Sequence, residues 1–122
     1  MTSTRKALIT LFIAYTLLVS YLCLAPQDSS SEPLIWDKAA HALAYSGFAV
    51  LCCLIARNRK ELAFLIAFCF LFGIGMEFLQ GQTGYREASA EDQLANTIGL
   101  FLGWIVMTPF TPANRKKTPN CK

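Results

Sequence analysis

The stretch LAFLIAFCFLFGIGMEFL, residues 62–79, decides the fold class of this chain. Glu77 is its only charged residue. A helix rises about 1.5 Å per residue, so roughly 20 residues cross a hydrocarbon core about 30 Å thick. A helix on the surface of a soluble protein would carry a polar stripe, whereas this stretch is apolar on all sides until its last turn. The sequence therefore predicts a transmembrane helix here.

Three more apolar runs flank this stretch. Together they predict an all-α integral membrane bundle of four transmembrane helices in a single domain, residues 1–110. The fourth run reaches spanning length only if its flanking residues lie in the headgroup zone, and the capping box Ser89-x-x-Asp92 marks its start. The first run is expected to be retained, because its apolar core exceeds the usual 7–15 residues of a signal peptide. The helices are predicted at about residues 7–25, 37–56, 62–80 and 91–108.

The positions of the basic residues predict the orientation of the bundle. With four spans, nine of the eleven Lys and Arg residues fall on one side and only Lys38 and Arg86 on the other. Positive residues in short loops stay in the cytoplasm. Both termini are therefore predicted to be cytoplasmic, and residues 111–122 to form a basic cytoplasmic tail. This rule accounts for the basic ends, so nucleic-acid binding is not expected.

The five cysteines form no disulfide framework in the sequence. None has the C-x-x-C spacing of a zinc or redox site, so we expect them to pack as small hydrophobic residues. Three lie within predicted spans, one near the outer end of the first span and one in the tail: Cys52, Cys53, Cys69, Cys23 and Cys121.

Polar side chains recur near the outer ends of the last three predicted helices. Their spacings of three and four residues put them on one face of each helix, within about two turns of the outer surface. On the fourth helix the polar face continues into Gly99-x-x-x-Gly103, a pattern that lets membrane helices pack closely. The polar residues are therefore predicted to point into the bundle. The three faces are Asp37, His41 and Tyr45; Gly73, Glu77 and Gln80; and Asp92, Asn96, Gly99 and Gly103.

We expect these faces to form one outward-opening pocket, but each residue also has a structural alternative. In the structural alternative, Asp37 and Asp92 serve as helix caps and have no other role. Asn96 then only forms a hydrogen bond between helices. Glu77 and a protonated His41 can form a structural ion pair. Glu77 most needs an explanation, because a carboxylate one turn below the interface must be paired, protonated or solvated.

The spacing of these residues resembles the VanZ-like family of small bacterial membrane proteins, over about residues 37–103. The resemblance implies a bacterial cytoplasmic (inner) membrane and a cell-envelope role. The founding member is associated with resistance to the glycopeptide teicoplanin, while for most members no biochemical activity is established. The three motifs that carry the resemblance are Asp37-Lys38-x-x-His41-x-x-x-Tyr45, Glu77-x-x-Gln80 and Arg86-x-x-x-x-x-Asp92-x-x-x-Asn96-x-x-Gly99.

The first functional hypothesis is a binding or accessory protein whose outer pocket holds an anionic lipid or a lipid-linked cell-wall precursor. Arg86, Lys38 and protonated His41 would bind the phosphate. Gln80 and Asn96 would donate hydrogen bonds to it. The ligand, and any homo-oligomer or partner membrane protein, stay open at this point.

The alternative is an enzyme acting on such a lipid, with Glu77 and His41 as an acid–base pair. Asp37 and Asp92 would orient that pair or, with His41, bind a divalent metal ion. The sequence has no nucleophile elbow, phosphate-binding loop or metal-motif spacing, so no metal or cofactor is assigned and enzymatic activity is left open. A pore within one chain is disfavoured, because the cytoplasmic halves of the helices are apolar.

Overall fold

The computed structural model describes residues 1–26 and 34–115, and within these ranges the chain is helical and contains no strand. Most of the predicted outer loop, with Asp28 and Glu32, lies outside the described residues, as do residues 116–122 of the predicted tail with Cys121. The elements are α1 (Ser3–Leu24), α2 (Leu34–Ile55), α3 (Arg59–Gln82), α4 (Ala90–Val106), a 3₁₀ turn (Thr108–Phe110) and α5 (Pro112–Arg115).

Three helices are long and apolar enough to cross a membrane: Ser3–Leu24, Ile35–Ile55 and Arg59–Gln82. The prediction of an all-α membrane protein is thus confirmed. The fourth helix, α4, has 17 residues and extends about 26 Å at 1.5 Å per residue, somewhat less than the thickness of a hydrocarbon core.

Three of the four long helices begin at a capping side chain. Thr2 caps α1, which therefore starts four residues before its predicted bound, and Asn58 Oδ1 accepts a hydrogen bond from Glu61 N–H at 2.9 Å to open α3. Ser89 Oγ accepts from Asp92 N–H at 3.3 Å at the start of α4, which is one half of the predicted capping box; the Ser89 N–H donates to Glu77 Oε2 rather than to the Asp92 carboxylate.

Helices α2 and α4 pack more closely than any other pair among the described helices. A Cβ atom added to Gly99 would clash with the carbonyl oxygen of Ala42, and one added to Gly103 would clash with that of Ser46. Only glycine permits this approach of two backbones. The contact sets the depth and rotation of α4 against α2. Because α2 occupies this face, a homo-oligomer would need another surface.

The apolar core is centred on Phe48 of α2, which is fully buried. Its ring lies edge-on to four others, with ring centroids 4.9 to 5.7 Å apart, a favoured aromatic arrangement. The four rings come from three helices, so the cluster joins α1 and α3 to α2. They belong to Phe12, Tyr15, Tyr45 and Phe72.

Three cysteines lie in the same core as small apolar side chains. Cys52, Cys53 and Cys69 are fully buried, and the Sγ atoms of Cys52 and Cys69 are 3.7 Å apart. They are free thiols. This arrangement matches the expectation that these cysteines fill space rather than form a framework.

Arginines close the end of the bundle at which α2 terminates. The last carbonyls of a helix have no partner within the helix and must be satisfied from outside. Arg5 Nε donates to the Ile55 carbonyl at 3.4 Å, and Arg115 donates to those of Cys53 and Ala56 at 2.6 and 2.9 Å. The N-terminal helix and α5 therefore reach the same end of the molecule.

Candidate functional site

The polar faces of α2, α3 and α4 meet at the opposite end of the bundle. Six of the predicted side chains are almost fully enclosed there, so the identity of their hydrogen-bond partners decides what each group can do. The exposed fractions are 7% for His41 and Asp92, 6% for Glu77 and 1% for Tyr45, Gln80 and Asn96.

A chain of three hydrogen bonds runs from α2 through α4 to α3. His41 Nδ1 lies 3.0 Å from Asn96 Oδ1. Asn96 Nδ2 donates to Gln93 Oε1 at 3.4 Å, and Gln93 Nε2 donates to the backbone carbonyl of Phe70 at 3.5 Å. The chain thus ends on a backbone oxygen of a neighbouring helix.

This chain determines which nitrogen of His41 carries the proton. The Phe70 carbonyl can only accept, so Gln93 must present its NH₂ group there and its oxygen to Asn96. Asn96 in turn presents its oxygen to His41. This direction favours a neutral ring with the hydrogen on Nδ1, which leaves on Nε2 a lone pair that can accept a proton or bind a metal ion.

Gln93 belongs to this row of hydrogen bonds but was not selected in the sequence analysis. It precedes Asn96 by three residues, so both lie on one face of α4, and this spacing was the available signal. Gly73 of α3 provides its space, because a Cβ atom at Gly73 would lie 2.8 Å from Gln93 Oε1. The glycine on the polar face of α3 thus accommodates an amide from α4.

Glu77 has one satisfied and one unsatisfied oxygen. Its Oε2 atom accepts from the backbone N–H of Ser89 at 3.2 Å. Its Oε1 atom is buried and has no hydrogen-bond partner among the described residues, and the same holds for the hydroxyl of Tyr45. Oε1 lies 3.9 Å from His41 Nδ1, which is too long for a hydrogen bond, so the two side chains interact only through space.

Arg86 lies across the beginning of α2. Its Nη2 atom is 3.1 and 3.2 Å from the two carboxylate oxygens of Asp37, and its Nη1 atom donates to the Cys23 carbonyl at 3.5 Å. The side chain of Arg86 is only 12% exposed. Lys38, in contrast, points outward and pairs with Glu91, whose side chain is 71% exposed.

Gln80 lies apart from the His41 chain. Its Nε2 atom donates to the Cys23 carbonyl at 2.8 Å, and Tyr85 donates its hydroxyl hydrogen to the Leu24 carbonyl. Together with Arg86 these side chains satisfy the end of α1. The expected role of Gln80 as a ligand donor therefore competes with a structural hydrogen bond.

A cavity of about 120 Å³ lies between α1 and α2 beside this cluster. By the same measure a single water molecule needs about 10–15 Å³, so the cavity has room for several. Sequence reasoning placed the pocket among the last three helices and missed the wall from α1, whose apolar residues carry no distinguishing signal. The lining residues are Val19, Leu22, Cys23, Asp37, Ala40, His41, Ala44, Tyr45 and Arg86.

Three potential metal ligands converge at the same place. One ligand atom each from Asp37, His41 and Asp92 lies within 4.8 Å of the other two. Two of the three come from successive turns of α2, and Asp92 is brought to them by the close packing of α4 on α2. Carboxylate oxygens and an imidazole nitrogen are suitable ligands for a divalent cation.

The fold and these apolar helices define an α-helical integral membrane protein. The model of the VanZ/LLP1 family matches residues 12–111, most of the chain. The chain therefore belongs to the VanZ-like family, and the match extends the predicted resemblance back into α1. No curated protein and no solved structure matches it.

Proposed function

We propose that this protein is a cell-envelope protein of the bacterial cytoplasmic membrane that binds an anionic lipid or a lipid-linked cell-wall precursor in its outer pocket. The observation that carries the proposal is the composition of the cavity. Three polar side chains, Asp37, His41 and Arg86, stand among apolar residues from α1 and α2. Ligand pockets combine an apolar lining with a few placed polar groups. Leu22 in the lining is also half exposed on the bilayer-facing surface of α1, which suits a ligand with an acyl or prenyl chain.

We further propose four spans with both ends in the cytoplasm. Arg5 and Arg115 both contact the last turn of α2, so the first and fourth helices have their ends at one face of the bundle. Nine of the eleven Lys and Arg residues lie on that side of the proposed topology. This distribution favours a cytoplasmic location for that face. The shorter α4 crosses with its flanking residues in the headgroup zone.

Arg86 is the group proposed to bind the phosphate. A guanidinium has five N–H donors, and three contacts to Asp37 and Cys23 leave donors for a further oxygen. Its burial also makes a charge-assisted bond stronger than at an exposed site. Lys38 follows Asp37 in the sequence and is a second positive charge in this part of α2, although it forms an ion pair with Glu91.

Native mass spectrometry of the purified protein tests this proposal. We expect it to retain phosphatidylglycerol or a polyprenyl phosphate in preference to zwitterionic phosphatidylcholine, and Arg86→Gln to reduce the anionic adducts at least tenfold. Arg57→Gln is the matched control, because this arginine lies at the opposite end with a side chain that is 65% exposed. Equal anionic binding by both variants, each checked for thermal stability, would exclude Arg86 as the binding group.

One observation favours an enzyme as the second candidate. The hydrogen-bond chain leaves the Nε2 lone pair of His41 free, and the unpartnered oxygen of Glu77 lies beside the same ring. Such a pair suits general acid–base catalysis.

Mass spectrometry can test this candidate by comparing the lipids of three strains. One strain carries the wild-type gene, one lacks the gene, and one carries the Glu77→Gln variant. Accumulation of one species in both altered strains would identify a substrate, and identical profiles would argue against turnover of an abundant lipid.

A further inference from the structure

We propose that Asp37, His41 and Asp92 bind a divalent transition-metal ion at the outer end of the bundle. The three ligand atoms are already nearly in place. Ligands bound at about 2.1 Å to one ion lie about 3.0 to 4.2 Å apart, and only a trans pair reaches the larger distance, so separations of up to 4.8 Å need to close by about 1 Å. Small side-chain rotations provide such a change without moving a helix.

Two unsatisfied groups mark the site as built for a ligand. Asp92 is 7% exposed as a residue, and its carboxylate receives no hydrogen bond from any residue that the structure describes, although its backbone N–H is capped by Ser89. Glu77 Oε1 is likewise buried and unpartnered, 3.9 Å from the His41 ring. Carboxylates in enclosed sites are normally paired, and a cation bound by Asp92 would supply that partner directly, while its charge would also stabilise the nearby Glu77 carboxylate through space.

The local charge points to a dication. Asp37, Glu77 and Asp92 contribute three negative charges, which Arg86 alone offsets within the described part of the cluster. Lys38 and Glu91 form a separate pair that adds no net charge. One divalent ion would bring the enclosed cluster close to neutrality. The Arg86 contact leaves each Asp37 oxygen a second lone pair for the metal.

The hydrogen-bond chain from Phe70 prepares His41 as a metal ligand. Ligating imidazoles almost always donate their second N–H to a carbonyl or carboxylate oxygen, which sets the tautomer and the orientation of the ring. His41 does this through Nδ1 to Asn96, whose own amide is held by Gln93. Nε2 is left to bind the ion.

The ligand set indicates the class of metal. One imidazole with two carboxylates favours Mn²⁺, Fe²⁺, Co²⁺ or Zn²⁺ over Mg²⁺ and Ca²⁺, which prefer oxygen ligands alone. The adjoining cavity of about 120 Å³ supplies room for water molecules or for oxygen atoms of a ligand at the remaining coordination positions. The inference does not depend on the proposed lipid binding.

Electron paramagnetic resonance with Mn²⁺ tests the site directly. The full-length protein, freed of any histidine tag and stripped with a chelator, is titrated with Mn²⁺ in detergent, and the free-ion signal is followed. We expect one ion per chain. Since His41 is the only histidine of the sequence, pulsed spectra should show nitrogen coupling in the wild type and none in His41→Gln.

Matched variants distinguish Mn²⁺ binding at this site from nonspecific binding to acidic side chains. Asp37→Asn and Asp92→Asn should each weaken Mn²⁺ binding at least tenfold. Glu91→Gln should not, although it removes a carboxylate next to Asp92 from the same turn. Thermal unfolding without metal checks that each variant is folded. Loss of affinity confined to the two aspartate variants, with nitrogen coupling in the wild type, supports the site. Equal affinity in all of them, or bound Mn²⁺ without nitrogen coupling, would overturn it.

Discussion

Asn96 connects the hydrogen-bonding groups of the candidate site. Its amide is 1% exposed and uses both ends, the oxygen toward His41 and the nitrogen toward Gln93. Because an amide has an acceptor at one end and a donor at the other, it fixes the direction of the hydrogen bonds on both sides without carrying a charge. The imidazole is thereby held in one tautomer, whether it acts as a base or as a metal ligand.

The tautomer of His41 is the first prediction at the residue scale. Nitrogen NMR of histidine-labelled protein without metal, at a pH where the ring is neutral, should show hydrogen on Nδ1 and a lone pair on Nε2. The single histidine makes the assignment unambiguous. Gln93→Leu removes the anchor on Phe70 and should yield a mixture of tautomers. A wild-type ring with its hydrogen on Nε2 would refute the proposed direction of the hydrogen bonds between His41, Asn96 and Gln93.

Glu77 carries the second prediction. Glu77→Gln keeps an oxygen for the Ser89 N–H and removes a buried carboxylate, so the variant should be at least as stable as the wild type. Glu77→Ala loses the acceptor and should be less stable by about 1 kcal/mol or more. Thermal unfolding in one detergent compares the three proteins. A marked destabilisation by Gln would mean that the negative charge itself holds the fold together.

Only part of the site could be predicted from spacing. Positions three or four residues apart share a helix face, and this was enough to select His41, Asp92 and Asn96 as a group. Spacing says nothing about rotation between helices. The pairing of Arg86 with Asp37 therefore came only from the structure, as did the hydrogen bond between Gln80 and the end of α1.

At the scale of the elements, the contact of α2 with α4 brings the site together. Gly99 and Gly103 lie one and two turns below Asn96, so the depth at which they meet α2 also sets the level at which Asn96 meets His41. Hydropathy was sufficient to predict α1, α2 and α3, because each is a long apolar run, whereas the start of α4 was predicted from its capping box and α5 lies within the segment that was predicted as a basic tail. The partner face of Gly99 could not be predicted, since Ala42 and Ser46 of α2 differ little from other small residues in the chain.

Gly99→Ala is the prediction at this scale. The added Cβ would meet the carbonyl of Ala42, a backbone atom that cannot move aside, so α2 and α4 must separate. We expect a loss of stability of about 1–3 kcal/mol and weaker binding at the neighbouring site. Unfolding in detergent, followed by circular dichroism, measures the first effect.

Gly75→Ala is the control on α3. Nothing lies within 4 Å of a Cβ atom at Gly75, and alanine is favoured over glycine inside a helix by about 0.5–1 kcal/mol. This variant should therefore be slightly more stable than the wild type. Equal behaviour of the two glycine variants would contradict the tight packing of α4 on α2.

On the scale of the whole molecule, the two ends of the bundle differ in their chemistry. One end consists of arginines that satisfy the terminal carbonyls of α2, and the other holds an enclosed cluster rich in carboxylates. Between them the core is aromatic and aliphatic around Phe48. This division suits a protein that is anchored by basic residues on one side of a membrane and binds its ligand at the other.

Cysteine labelling in intact cells tests the topology that follows from this division. In a cysteine-free background, Glu87→Cys in the loop between α3 and α4 should react with a membrane-impermeant maleimide. Lys60→Cys, between α2 and α3, should react only after permeabilisation.

The native Cys121, restored alone, decides whether the short α4 crosses. With four spans it is protected until the cells are opened, whereas labelling of Cys121 and Glu87→Cys alike in intact cells would mean three spans. The reverse pattern at Glu87→Cys and Lys60→Cys would place the polar cluster in the cytoplasm.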